Sequence, residues 1–156
     1  MIKLKELLRE GQIQLKDQSP SAAEDCEILL GQILSKNSAW LITHGDRLIT
    51  SEQTLAFRAH LQRRSAGEPV AYIIGQRAFW EHHFEVNPSV LIPRPESEIL
   101  VELVVQIVSE QAFTSESQSI ADLGTGSGAI AISLAHELPQ TDIIAVRISR
   151  RTGCRP

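Results

Sequence analysis

The residues best suited to chemistry stand together at Asp122-Leu123-Gly124-Thr125-Gly126-Ser127-Gly128. Three glycines alternate there between two apolar stretches. Glycine is needed where the chain turns sharply and a ligand must come close to the backbone. Ile120 to Leu123 reads as a short strand before the turn, and Ala129 to Leu138 reads as a helix after it. The first N–H groups of such a helix have no partner within it and point at whatever sits over the turn. An acidic residue ahead of the glycines, here Asp122, suits an ammonium such as that of a methionine moiety better than a phosphate. A turn that uses glycine for packing alone is the bland alternative, and it leaves the alternation inside a strand-helix-strand pattern unexplained.

The turn does not by itself fix the ligand. Gly124, Gly126 and Ala129 also satisfy the looser dinucleotide pattern G-x-G-x-x-G/A. In either nucleotide class an acid near the end of the second strand grips the ribose hydroxyls, and Arg147 occupies that place. For a dehydrogenase, arginine there would suit the 2′-phosphate of NADP. An NADP-linked enzyme therefore stays open at this point.

Other candidate residues carry less. His82-His83 is an adjacent pair with no third ligand nearby, expected to be solvated, so no metal is assigned. Cys26 falls on the apolar side of a helical stretch and reads as a buried thiol, while Cys154 lies in a basic tail. Two cysteines make no disulfide framework, which fits a reducing compartment. With 15 basic and 19 acidic residues the net charge is -4, so charge alone gives no reason to expect direct nucleic-acid contact. The N-terminus is charged throughout and does not read as a signal peptide. No apolar run approaches the roughly 20 residues that span a bilayer. The expectation is a soluble, cytoplasmic, monomeric protein without membrane contact.

These residues must be positioned by the elements around them. Residues 1–75 read as a bundle of short helices. Leu4, Leu7, Leu8 and Leu15 form one stripe, and Cys26, Leu29, Leu30, Ile33 and Leu34 another. Ser21 with Glu24, and Thr50 with Gln53, have the form of capping boxes. A short helix is expected around Trp40, and the helix after Thr50 should run to Arg64, stopped by Gly67 and Pro69. Phe84 and Val86 then alternate with polar neighbours, so residues 76–93 read as a hairpin linker. From Glu96 to Glu110 a helix is predicted whose apolar face is Ile99, Leu100, Leu103, Val104, Ile107 and Val108. Thr114 to Ser119 reads as a polar loop. The strand, glycine turn, helix and second strand (Ile143 to Val146) then begin a parallel α/β sheet over residues 94–156.

Several stretches match a known family. Ala23-Glu24-Asp25-Cys26-Glu27-Ile28-Leu29-Leu30, the stretch Trp40 to Asp46, Gly67 to Gly75 and Phe79-Trp80 resemble the release factor glutamine methyltransferase family (PrmC/HemK). Pro93-Arg94-Pro95-Glu96-Ser97-Glu98 resembles that family's Pro-Arg-Pro-[Asp/Glu]-[Thr/Ser]-Glu signature. The likeness runs in order from near residue 20 to Val146. It implies a helical N-terminal domain that binds release factors, a linking hairpin, and the start of a Rossmann-like methyltransferase domain. It further implies methyl transfer from S-adenosylmethionine to the glutamine side-chain nitrogen of the release factors' Gly-Gly-Gln motif. Carried over, Gly124, Thr125, Gly126, Ser127 and Gly128 would hold the methionine part of the cofactor with Asp122 behind them. Arg94, Pro95 and Glu98 would border the pocket, although proline and acids also suit a plain helix start.

The sequence departs from the family in two places. The ribose-gripping acid is replaced by Arg147, and no Asn-Pro-Pro-Tyr occurs in the 156 residues; Asn87-Pro88 is not a substitute. The resemblance assigns that loop the placing of the amide nitrogen, so no catalytic residue is assigned and the chain is expected to be truncated and inactive as written. The tail from Arg147 to Pro156 holds four arginines in ten residues and resembles nothing in the family, which suggests a change of reading frame. A module that binds a release factor without catalysis is the remaining alternative.

Overall fold

Leu4, Leu7 and Leu15 recur on one face of helix α1 (Leu4–Leu15), and all three are fully buried in the computed structural model, which describes residues 1–111 and 119–147. They pack with Cys26, Leu29 and Leu30 of α2 (Ala22–Leu34), Leu41 of α3 (Ser38–Thr43), Phe57 and Leu61 of α4 (Ser51–Ser65) and Ile73 of α5 (Val70–Ile74). Leu8, Ile33 and Leu34 lie partly buried at the edge of this core. The helices approach closely because Gly11 faces the junction. A Cβ there would stand 2.9 Å from the Cys26 Sγ and 3.0 Å from the Phe57 Cζ. These elements make up the first of two units, Met1–Gly75.

The sequence suggested a wholly helical bundle, but the unit also holds a short strand pair. Ile2–Lys3 (β1) and Leu48–Ile49 (β2) pair antiparallel, with Ile2 opposite Ile49. Two residues leave no readable period, so this bridge exists only because the fold brings the segments together.

The two capping boxes fare differently. At Thr50 both reciprocal bonds form, Gln53 N to Thr50 Oγ1 and Thr50 N to Gln53 Oε1, each 3.2 Å. At Ser21 no side-chain cap forms, because its hydroxyl donates instead to Asp25 Oδ1 at 3.1 Å. Asp25 also accepts from Ser19 Oγ at 2.7 Å and Arg64 Nε at 2.7 Å. Arg64 reaches Ser19 Oγ as well, at 3.2 Å. A buried carboxylate needs such donors, and it outcompetes the helix end for the serine. The helix after Thr50 extends to Ser65, and Gly67 follows its end with φ +91°.

The second unit runs from Gln76 to Pro156. It opens with a hairpin, β3 (Gln76–Phe79) and β4 (His82–Glu85), with Phe79 opposite His82. Of the two loop residues Trp80 alone has positive φ, +53°, at the position where two-residue hairpins favour glycine. Holding a bulky residue there costs on the order of 1–3 kcal/mol and persists only where the surroundings over-determine it. Two carboxylates do so. The Trp80 N–H donates to Glu98 Oε1 at 3.0 Å, and its indole Nε1–H to Glu137 Oε1 at 2.8 Å. His82 is not simply solvated as the sequence suggested, since its ring lies 4.5 Å from that of His136.

A 3-10 turn (Pro95–Ser97) leads into α6 (Glu98–Gln111). Strand β5 (Ser119–Leu123), helix α7 (Ala129–Glu137) and strand β6 (Asp142–Val146) follow. β5 and β6 pair parallel from Ser119–Asp142 to Leu123–Val146, so this part is mixed α/β with a parallel strand-helix-strand unit. The core gathers Phe79, Phe84, Val101, Ala129, Leu134 and Leu138.

The face of α6 agrees with the predicted one at Val104 and Val108 and differs from it elsewhere. Val101 is fully buried and Val104, Val105 and Val108 pack on the core, while Ile99, Leu100, Leu103 and Ile107 are 57, 52, 47 and 51 % exposed. The helix is apolar over much of its circumference, so its period cannot select the buried stripe. The predicted loop at Thr114 to Ser119 lies outside the described residues except for Ser119, which begins β5; the tail from Ile148, with Cys154, lies wholly outside them. Among the described residues no helix is long and apolar enough to cross a membrane, and no three metal-ligating side chains cluster.

Candidate functional site

The glycine turn is shaped by the strand beside it. Where β5 ends, the N–H groups of Gly124 and Thr125 donate to the carbonyl of Val146, at 2.8 and 3.2 Å. Gly128 N then donates to Thr125 O at 2.8 Å, closing the loop onto the start of α7. Gly124, Gly126 and Gly128 have φ of +84°, +58° and +83°, a backbone region that residues with side chains seldom adopt. A Cβ on Gly124 would meet nothing within 4 Å, so the loop presents bare backbone to open space. Gly128, the residue before α7, provides no side-chain cap, which leaves the helix's first N–H groups to a ligand or to water.

Two side-chain atoms at this turn are buried without a partner, Asp122 Oδ2 and Thr125 Oγ1. A carboxylate oxygen without a donor, next to uncapped helix N–H groups, fits a ligand that carries both an ammonium and an anionic group. The amino-acid end of a methionine derivative has that pair.

A cleft opens over the turn. Gly124, Thr125, Gly126, Ser127, Ala129 and Ile130 line one side; Phe79 and the segment Leu91, Ile92, Pro93, Arg94 and Ser97 line the other. The structure thus brings the glycine residues together with Arg94. Asp122 and Gly128 are not among the residues that line the cleft, although they flank those that do. Pro95 and Glu98 do not reach the cleft, because Pro95 starts the 3-10 turn and Glu98 is engaged with the Trp80 N–H. Phe79, Leu91, Ile92, Ser97 and Ile130 were not singled out as site residues. Ala129-Ile130 directly follows the glycines, so the sequence offered a signal for it, whereas Phe79 reaches the cleft only by folding. Arg147 is exposed one residue beyond the Leu123–Val146 pair, beside Gly124.

Residues 6–75 match a family model described as the PrmC N-terminal domain. Over 128 residues the chain is 43 % identical to a release factor glutamine methyltransferase of Aliivibrio fischeri, covering 82 % of this chain and 43 % of that relative. The like-named protein of Coxiella burnetii is 41 % identical over 145 residues, 93 % of this chain and 51 % of the relative. That of Escherichia coli is 42 % identical over 139 residues, 89 % and 48 %. Residues 6–75 are thus similar to the PrmC N-terminal domain, and the chain is similar to release factor glutamine methyltransferases over most of its length. It spans about half the length of the curated relatives it matches. The matched family model ends at Gly75, where the first compact unit also ends.

Proposed function

We propose that this chain is the cofactor-cradling portion of an S-adenosylmethionine-dependent enzyme that methylates the glutamine side-chain nitrogen in the Gly-Gly-Gln motif of release factors. The observation that carries the reading is the glycine turn with its unpartnered Asp122 carboxylate oxygen, in a chain 43 % identical to a protein of that name. When bound, S-adenosylmethionine supplies an electrophilic methyl group. Asp122 accepts from the ammonium of the methionine part, and the Gly124–Gly128 backbone follows its length. Arg94 and Phe79, across the cleft, exclude water from that end. Residues 94–156 are on this reading the start of a Rossmann-like methyltransferase domain, residues 76–93 link it, and residues 1–75 meet the release factor. The protein acts as a monomer in the cytoplasm, in translation termination.

The 156 residues contain no Asn-Pro-Pro-Tyr. An amide nitrogen is a poor nucleophile because its lone pair is delocalised into the carbonyl. Orienting it against the methyl group is worth on the order of 7–11 kcal/mol of barrier. This reading therefore assigns cofactor binding, and not the placing of the amide nitrogen, to the residues present. The test is titration with S-adenosylhomocysteine beside tritiated methyl transfer to a purified release factor, with Gln→Ala in the Gly-Gly-Gln motif as control. Binding without glutamine-dependent transfer supports the reading. Transfer by these residues alone overturns the placement of the catalytic centre, and absence of binding overturns the cofactor assignment. Arg147 beside Gly124 favours one rival, NADP, and tight NADPH binding in the same titration would support it instead.

A further inference from the structure

We propose that Trp80, Glu98 and Glu137 form a clip that positions Phe79 as a wall of the glycine-turn cleft, so that ligand affinity there depends on the hairpin tip. The inference rests on the reading of this cleft as the S-adenosylmethionine site. Phe79 is 1 % exposed and belongs both to the core and to the cleft lining. The next residue, Trp80, takes the left-handed conformation at a turn position suited to glycine. A glycine would relieve the strain but would forfeit the indole. The indole is one of the two anchors that fix the tip.

The anchors come from both sides of the cleft. Glu98, which holds the Trp80 N–H at 3.0 Å, follows directly after Ser97, the end of the lining segment that carries Arg94. Glu137, which holds the indole Nε1–H at 2.8 Å, closes the helix whose first turn follows the glycines. Around them, His82 lies against His136 and Phe84 stands edge-on to Phe79 with 6.2 Å between ring centroids. Neither carboxylate lines the cleft. Both act through Phe79, and they are positioning residues. A strained residue held by two separate elements is a device that ties those elements into one geometry. Here the tied elements are the two sides of the cleft.

The test uses the whole chain with Trp40→Phe, which leaves Trp80 as its only tryptophan. S-adenosylhomocysteine is the probe, followed by calorimetry and by tryptophan emission. Binding should change Trp80 emission. Glu98→Ala and Glu137→Ala should each weaken affinity roughly three- to tenfold, the worth of one lost hydrogen bond. Glu98→Gln and Glu137→Gln retain an acceptor oxygen and should bind within about twofold of the parent. In the original background Trp80→Phe removes only the indole donor, so combining it with Glu137→Ala should cost no more than either change alone. If Glu137→Ala fails to fold, Trp80→Phe decides by itself. Alanine variants that fold and bind with unchanged affinity, or silent Trp80 emission on binding, sink the clip and leave the cofactor reading standing. No binding by the unmodified chain sinks both.

Discussion

Asp25 shows how a single residue settles the first unit. Burial pushes its carboxyl pKa up, but hydrogen bonds from Ser19 and Arg64, the Arg64 charge and a bond from Ser21 outweigh this and hold it below the ordinary 3.8. A carboxylate whose folded pKa is depressed contributes stability above its unfolded pKa and loses it as pH falls through the folded one. The first unit should therefore melt at a lower temperature as pH drops below about 4, and Asp25→Asn should flatten that part of the profile. Asp25→Ala leaves Arg64, 17 % exposed, without its carboxylate, keeping only the neutral acceptors Ser19 Oγ and Glu68 O, and should cost about 3–5 kcal/mol in denaturant unfolding. Cys26 makes an opposite case. Burial, with the charges of Asp25 and Glu27 adding to it, pushes its thiol up to about 12. In a Cys154→Ser background Cys26 should resist iodoacetamide at pH 8 until the chain unfolds, which mass spectrometry would detect. Rapid labelling of folded protein would show that the thiol is accessible.

At the scale of elements, close packing outweighs intrinsic preference. Alanine is a better helix former than glycine by about 1 kcal/mol, which would favour Gly11→Ala in the middle of α1. The new methyl group would meet Cys26 Sγ at 2.9 Å and the Phe57 ring at 3.0 Å, both fully buried. Overpacking of that kind costs about 1–3 kcal/mol, so the net effect should be destabilising by about 1 kcal/mol. Chemical denaturation of the variant gives the sign directly, and a gain in stability would mean that α1 can shift without loss. The glycine turn is an element of the other kind, where backbone shape matters more than packing. Its three positive φ values follow directly on the strand pairing, which delivers Val146 O to Gly124 and Thr125.

At the scale of the whole molecule the two units are unequally finished. The first encloses its own core of eleven buried residues, Leu4 to Ile73, and should fold alone. A fragment of residues 1–75 is expected to give helical circular dichroism and a cooperative melt; a featureless melt would count against it. The second unit leaves Leu123 77 %, Ile144 53 % and Leu103 47 % exposed beside other apolar side chains. Apolar exposure on that scale is unusual for a free surface. A fluorescent apolar dye should bind the 156-residue chain more strongly than the 1–75 fragment, although that fragment also exposes Ile13, Ile42 and Leu55.

What the sequence determined by itself was whatever depends on neighbours within a few positions. The helices of the first unit, the Thr50–Gln53 capping box and the glycine turn between an apolar strand and a helix all follow from local spacing. So does the parallel pairing of β5 with β6, because a strand-helix-strand run of this length can hardly close otherwise. The tertiary structure decided what local spacing leaves degenerate. It chose Val101 and Val105, beside the expected Val104 and Val108, over Ile99, Leu100, Leu103 and Ile107 as the buried face of α6, since a helix apolar nearly all round has no preferred side until a partner packs on it. It drew Ser21 away from its helix end to a carboxylate that also accepts from Arg64, 39 positions along the chain. It turned Glu98 from the cleft to the Trp80 N–H, 18 positions back, and put Phe79 in the wall instead. Those contacts join residues far apart in sequence, and no period or motif within one element encodes which of them will meet.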